Sequence, residues 1–291
     1  LGITVMFTLS ILLAIPFGKY IARVYAGEKT WFDTLFNPIE RIFYKISGID
    51  PGSEMNWKQH MIAMITINMI WFVLGMRILM TQGNLRFNPD QNRSMSADLA
   101  FNTVISFVVN CNLQHYSGES GLSYLGQYWL MFLQFVSAGT GMAAAVVVFR
   151  AFRDRSADTL GNFYTYFIKS CTRILLPISF VVAVILAFEG TPMTFEGKDT
   201  IISLQGDSVA VSGGPAAAFI AIKHIGTNGG GFFGVNSAHP FENPTYLSNM
   251  VEMIAQLIVP MAMIFAFGLF IKRRKLSWMI FGGMSGGFLV L

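Results

Sequence analysis

Residues 215–233 read Pro-Ala-Ala-Ala-Phe-Ile-Ala-Ile-Lys-His-Ile-Gly-Thr-Asn-Gly-Gly-Gly-Phe-Phe. Pro215–Ile225 is an apolar stretch with proline at a natural first helical position. At 1.5 Å per residue such a helix spans about half a bilayer. The adjoining Gly226–Phe233 is irregular, polar and glycine-rich, and lipid does not tolerate such backbone unless protein buries it or it lines a watery path. The pairing predicts a re-entrant half-helix followed by a functional loop.

A similar unit lies upstream. Ser96 and Asp98 give capping signals, and Ser96–Val109 carries the short apolar run. It leads into Val109-Asn110-Cys111-Asn112-Leu113-Gln114 and then Tyr116-Ser117-Gly118-Glu119. Asn110 and Asn228 are read as matching positions of an internal repeat: helix, half-helix, irregular loop, helix.

The chemistry this pattern favours is cation binding. A half-helix entering from outside points the negative end of its dipole at the membrane centre. Beyond it, extended glycine-rich backbone can turn carbonyl oxygens inward and replace an ion's hydration shell. Neither short motif contains an acidic residue, which favours a weakly hydrated monovalent ion over Ca²⁺ or Mg²⁺. Three glycines alone would suit a flexible turn. The half-helix before them and the second unit argue for a filter. Gly226–Gly231 lacks the Gly-Lys-Ser/Thr of a nucleotide-binding P-loop.

The remaining chemistry-bearing residues read as structural. Cys111 suits a small filter-backbone position and Cys171 helix packing, with no disulfide framework or zinc spacing. His60, His115, His224 and His239 show no metal spacing. Glu119, Glu242 and Glu252 are read first as helix caps and second as cation-steering groups. There is no catalytic triad, no HExxH and no phosphorylatable aspartate signature, so no catalytic residue is expected.

Composition agrees with a membrane protein. The 291 residues are 53% hydrophobic and 12% charged, where a soluble domain carries roughly 25% charged residues. Mean hydropathy is +0.53. These values exclude a cytosolic globular enzyme and a disordered chain. Leu1–Phe17, Met61–Met80, Ser120–Phe149, Ile174–Phe188 and Met253–Ile271 are expected to span, and Leu276–Leu291 to begin a further span. No segment alternates with a period of two, so a β-barrel is not expected. The expected fold is an all-α polytopic membrane protein.

Lys and Arg give the orientation. Fifteen of the 20 basic residues lie in 19–58, 150–173 and 272–275, which places those stretches in the cytoplasm and the N-terminus outside. The opposite side carries nine of the 16 acids, and an acidic outer face concentrates cations. Within Glu28–Ile46, apolar residues repeat at helical spacing, and Asn37, Pro38 and Glu40 read as N-cap, first helical position and capping-box acid. That segment is expected to lie in the membrane interface or against a partner helix. Leu1–Phe17 begins without Met or a basic flank and Leu276–Leu291 stops without one, so a piece of a longer protein is expected. The expected organisation is a first transmembrane helix (1–18), a cytoplasmic amphipathic segment (19–58), a first pore-loop repeat (59–150), a cytoplasmic loop (151–172), a second pore-loop repeat (173–275) and the start of another helix (276–291).

Gly226–Thr245, reading GTNGGGFFGVNSAHPFENPT, and Phe101–Glu119, reading FNTVISFVVNCNLQHYSGE, resemble the first two filter regions of the potassium-binding A subunit of the Kdp potassium-transporting P-type ATPase. The resemblance covers the whole chain and about half of that family's length. It implies potassium-channel-like repeats, external K⁺ as the transported ion, and filter residues at Val109, Asn110, Cys111, Asn112, Gln114, Thr227, Asn228, Gly229 and Gly230. It implies the Kdp B (ATPase), C and F subunits as partners in a bacterial inner membrane, with ATP used only by the ATPase partner and no nucleic-acid partner. The family usually has Thr at the places of Val109 and Cys111 and Trp at that of Leu113. Backbone carbonyls survive such changes, whereas side-chain bonds that shape a filter do not. The filter pattern alone fits equally an ATP-independent K⁺ channel or symporter of the same superfamily. The departures keep open a noncatalytic membrane scaffold.

Overall fold

The computed structural model describes residues 2–111, 113–154 and 157–290. In chain order the helices are α1 (Gly2–Ala26), α2 (Asp33–Ser47), α3 (Trp57–Thr81), α4 (Ala97–Val108), α5 (Gly118–Gly121), α6 (Tyr124–Arg153), α7 (Phe163–Lys169), α8 (Leu176–Phe188), α9 (Ala216–Ile225), α10 (Tyr246–Phe270) and α11 (Arg274–Val290). A π-helical turn, Ser170–Leu175, joins α7 to α8, and a short hairpin pairs β1 (Asp199–Ile202) with β2 (Ser208–Val211). Among the described residues, five helical stretches are long and apolar enough to cross a membrane. They are Gly2–Ala26, Trp57–Asn84, Tyr124–Arg153, Phe163–Phe188 and Tyr246–Phe270. With little strand beside them, the fold is all-α and polytopic. α4 and α9 are apolar but only 12 and 10 residues long, about 18 and 15 Å.

The chain forms two compact units, one of residues 1–66, 139–177 and 253–291, the other of residues 67–138 and 178–252. In the first unit small residues let helices approach. A Cβ built on Gly18 of α1 would sit 2.7 Å from the Ala262 carbonyl oxygen and 2.8 Å from Phe265 Cβ of α10. One built on Gly139 would meet Cys171 Sγ at 2.5 Å. Without a hydrophobic drive between helices in lipid, such close backbone contact is a main source of packing energy.

The same unit explains α2. Its helix starts at Asp33, five residues before the expected proline start, and Pro38 lies inside it. Asn37 and Glu40 therefore do not cap. They bond Arg173, whose guanidinium contacts Asp33 Oδ1 at 2.5 Å, Glu40 Oε1 at 2.6 Å and Asn37 Oδ1 at 2.7 Å. Arg173 is 6% exposed and sits in the π turn. Asp33 also accepts from the Thr30 N–H and hydroxyl. The polar edge of α2 thus faces protein, while Leu35, Ile39, Ile42, Phe43 and Ile46 remain exposed.

In the second unit, Gln82 gathers the outer loops. Its Nε2 donates to the carbonyls of Arg93 and Gly121, both at 2.8 Å, and its Oε1 accepts from the Ser123 N–H at 3.0 Å. The hairpin lies in this unit with exposed residues along both strands. No strand was expected there.

Candidate ion site

α4 and α9 end in the same way. The N–H of Asn110 bonds the Phe107 carbonyl and that of Cys111 the Ser106 carbonyl. The N–H of Thr227 bonds the His224 carbonyl and that of Asn228 the Lys223 carbonyl. Both are Schellman caps, which need a left-handed residue just past the helix. Asn110 has φ 57° and Thr227 φ 56°. Backbone equivalence therefore pairs Asn110 with Thr227, not with Asn228 as the sequence suggested. The matching asparagine identities put the repeat one residue out.

Asn110 and Asn228 nevertheless meet. Asn228 Nδ2 donates to Asn110 Oδ1 at 3.1 Å, and Asn110 Nδ2 donates to the Gly226 carbonyl at 2.9 Å. Ser137 of α6 donates its hydroxyl to Asn110 Oδ1 at 3.1 Å. Gln134 of α6 donates Nε2 to Asn228 Oδ1 at 3.1 Å and to the Gly230 carbonyl. The Gly230 N–H closes the ring on Asn228 Oδ1 at 3.1 Å. Gln134 is fully buried and Asn228 4% exposed. Low dielectric strengthens the bonds that are made, and Gln134 Oε1 is buried without a hydrogen-bond partner among the described residues.

Further along, Gln114 grips Gly231 from both sides, accepting from its N–H at 3.0 Å and donating to its carbonyl at 3.2 Å. Gln127, on the same face of α6 as Gln134 and two turns before it, donates to the carbonyls of Gly118 and Phe232 at 2.9 and 3.0 Å. In the first loop the Ser106 hydroxyl donates to the Cys111 carbonyl and accepts from the Leu113 N–H, both at 2.9 Å. That serine supplies a loop-shaping bond despite Cys111 and Leu113. Gly229 has φ 91°, a conformation that L side chains rarely adopt. A Cβ on Gly230 would come within 2.8 Å of Phe107 Cζ.

Of the nine expected site residues, Asn110, Gln114 and Asn228 make bonds across the two loops, while Gly230 bonds Asn228 in its own loop and Gln134 of α6, and Gly229 takes a left-handed turn. Cys111 is held by Ser106 within its own loop. Val109, 60% exposed, and Thr227 lie at the helix caps. Asn112 lies outside the described residues. Gln134, Gln127, Ser137 and Ser106 were not anticipated. Two glutamines two turns apart in the charge-free stretch 124–149 of a membrane helix were the available signal, because polar groups at that depth are costly.

Lys223 and Glu242 form a buried ion pair, each side chain 1% exposed. His224 Nε2 lies 3.1 Å from Glu252 Oε2 and 3.0 Å from Ser237 Oγ. Glu242 and Glu252 therefore pair with side chains of α9 and are not helix caps. Among the described residues no group of three or more His, Cys, Asp or Glu side chains could hold a metal ion.

Among the described residues, five membrane-length helices and two short apolar helices with matching caps define an all-α polytopic membrane protein. The family model for the potassium-transporting ATPase A subunit matches residues 4–291. The chain belongs to that family. The potassium-transporting ATPase potassium-binding subunit of Flavobacterium psychrophilum is 67% identical over 290 residues, covering 100% of this chain and 51% of that protein. The protein of the same name from Flavobacterium johnsoniae is 66% identical over 291 residues, with coverage of 100% and 51%. That of Caldanaerobacter subterraneus subsp. tengcongensis is 40% identical over 287 residues, with coverage of 98% and 51%. The chain spans about half the length of these relatives.

Proposed function

We propose that this chain is part of the ion-selecting subunit of an ATP-driven potassium importer. It supplies two of the loops that strip and hold external K⁺ before the ion passes to an ATPase partner. The observation that carries this reading is the pair of half-helices with identical Schellman caps, whose loops are bonded through Asn110, Asn228 and Gln134. Such caps direct the negative helix end and the following backbone toward one place, which suits a cation.

The selecting residues are Val109, Asn110, Cys111, Asn112 and Gln114 in the first loop and Thr227, Asn228, Gly229 and Gly230 in the second. Their work is largely done by backbone oxygens. The Gly230 carbonyl accepts from Gln134, but a carbonyl has two lone pairs, so one remains for an ion. Glutamine and serine donors then hold the ring rigid, so that a smaller cation cannot draw the carbonyls inward at no cost. The chain itself performs no ATP chemistry. Its partners are the Kdp B (ATPase), C and F subunits in the bacterial inner membrane. The organisation is two pore-loop repeats (59–150 and 173–275) with the N-terminus outside and 19–58 at the cytoplasmic interface.

⁸⁶Rb⁺ uptake tests this in cells lacking other potassium systems and carrying the full-length gene with its neighbouring genes. The membrane potential is held fixed while ATP is depleted. Uptake that stops supports the pump subunit. Uptake that persists and follows the potential overturns it in favour of a channel or symporter.

A further inference from the structure

We propose that the buried Lys223–Glu242 pair sets the charge balance behind the second glycine strand, and thereby makes the ion site selective for monovalent over divalent cations. The inference rests on the ion-selecting reading above and assigns these two residues a role in specificity. Lys223 closes the last turn of α9, and Glu242 returns to it from the loop after the glycines. Nζ and Oε1 are in direct contact. Both charged atoms lie immediately behind Gly231. A Cβ built there would sit 3.0 Å from Lys223 Nζ and 2.9 Å from Glu242 Oε1.

The carboxylate is held at Oε1, and the Glu242 backbone is braced separately. Ser237 donates to Glu242 Oε1 at 3.2 Å, and the Thr191 hydroxyl lies 3.4 Å from the Glu242 carbonyl oxygen. Glu242 Oε2 is buried and makes no hydrogen bond with the described residues. The pair thus sets two opposite charges against Gly231, the residue that follows the proposed ion ligands.

The first loop is built differently. Cap equivalence places Ser106 where the second loop has Lys223. Ser106 braces its strand directly through its hydroxyl. A serine would have sufficed for bracing alone. A fully buried ammonium and carboxylate instead add two opposite charges, beside the buried Glu252 carboxylate, which pairs with His224 and also acts on Lys223, in surroundings where a change of charge acts strongly. Glu242→Gln leaves the Lys223 ammonium beside Gly231 without its contact partner and should repel K⁺. Lys223→Met leaves a carboxylate there, the ligand that divalent ions prefer. The two halves of one pair therefore give opposite effects, which a purely mechanical brace cannot do.

The test uses the complete transporter in liposomes, reading ATP hydrolysis against K⁺ and its inhibition by Ba²⁺. Glu242→Gln should raise the half-saturating K⁺ by about tenfold or more with little change in maximal rate, and weaken Ba²⁺ inhibition. Lys223→Met should strengthen Ba²⁺ inhibition by about tenfold or more. Lys223→Arg should keep wild-type discrimination. The K223M/E242Q double variant, uncharged at both positions, should return both readouts to within about threefold of wild type. Glu242→Gln and Lys223→Met variants that shift Ba²⁺ inhibition in the same direction as each other would overturn the proposal. If a single variant fails to assemble, the double decides: lost K⁺ discrimination there overturns it, and retained discrimination supports it. A wild-type complex that ignores K⁺ would instead refute the underlying transport reading.

Discussion

Asn110 and Thr227 hold the same left-handed conformation one residue past the cap of two separate short helices, at φ 57° and 56°. For Thr227 this is costly, because a β-branched residue at positive φ crowds its own backbone. Thr227→Gly should relieve about 1–2 kcal/mol of that strain, less the entropy glycine adds to the unfolded chain. Thermal unfolding of the purified complex should show equal or greater stability for Thr227→Gly and a loss for Thr227→Val.

Gly229 makes the converse prediction. At φ 91° any side chain is strained, so Gly229→Ala should destabilise the loop by about 1–3 kcal/mol. The half-saturating K⁺ for ATP hydrolysis should rise while the intact complex still assembles. Unchanged K⁺ dependence would show that this backbone does not touch the ion.

Gln134 is the keystone of the inter-loop network. Gln134→Leu leaves the Gly230 carbonyl without its donor in a dry interior, at about 1–3 kcal/mol, while Asn228 Oδ1 keeps only the Gly230 N–H. Gln134→Glu sets a carboxylate against those same acceptors and should be worse than leucine. Melting temperature in detergent, with and without K⁺, measures both. Equal stability of wild type and Gln134→Leu would remove the residue from the account.

Arg173 ties α2 to the π turn through Asp33 and Glu40. Breaking a buried pair by removing one partner costs about 3–5 kcal/mol. Arg173→Met should therefore release α2 locally. Limited proteolysis of inside-out vesicles should cut within residues 26–50 faster than in wild type, and Asp33→Asn alone should have a smaller effect.

Glu54 gives a pH dependence. The Thr159 hydroxyl, opposed by slight burial and helped by the Gly161 N–H and Arg150, holds its carboxyl below the usual carboxylate range. A lowered folded-state pKa means that the stabilisation is present above the unfolded pKa. It is lost as pH falls through the lower folded value. Unfolding of wild type should thus show an acid-side loss below about pH 4.5 that Glu54→Gln lacks. At neutral pH the variant should already be the less stable of the two.

Much of this was legible in the residues. Ser96 and the apolar run after it fixed α4 within a residue, and Pro215 did the same for α9. The cores of the long spans followed from charge-free length, but the fourth begins at Phe163, eleven residues before the expected Ile174, and runs through Lys169 and Arg173. The start of α2 did not, because Arg173, distant in sequence, recruits Asp33, Asn37 and Glu40 and extends the helix past its local proline signal. The two short helices were visible but their match was one residue out, since side-chain identity suggested Asn228 where the backbone cap requires Thr227. Gln134 hid in an apolar helix whose mean composition concealed two glutamines on one face. The hairpin was too short and too exposed to leave a periodic trace.

The most direct measurement is the anomalous scattering of Rb⁺ in crystals of the complete transporter. The account predicts Rb⁺ density held among the backbone oxygens of residues 110–112 and 227–230, displaced by K⁺ and not by equal Na⁺. Rb⁺ bound only elsewhere, or displaced equally by Na⁺, would contradict it.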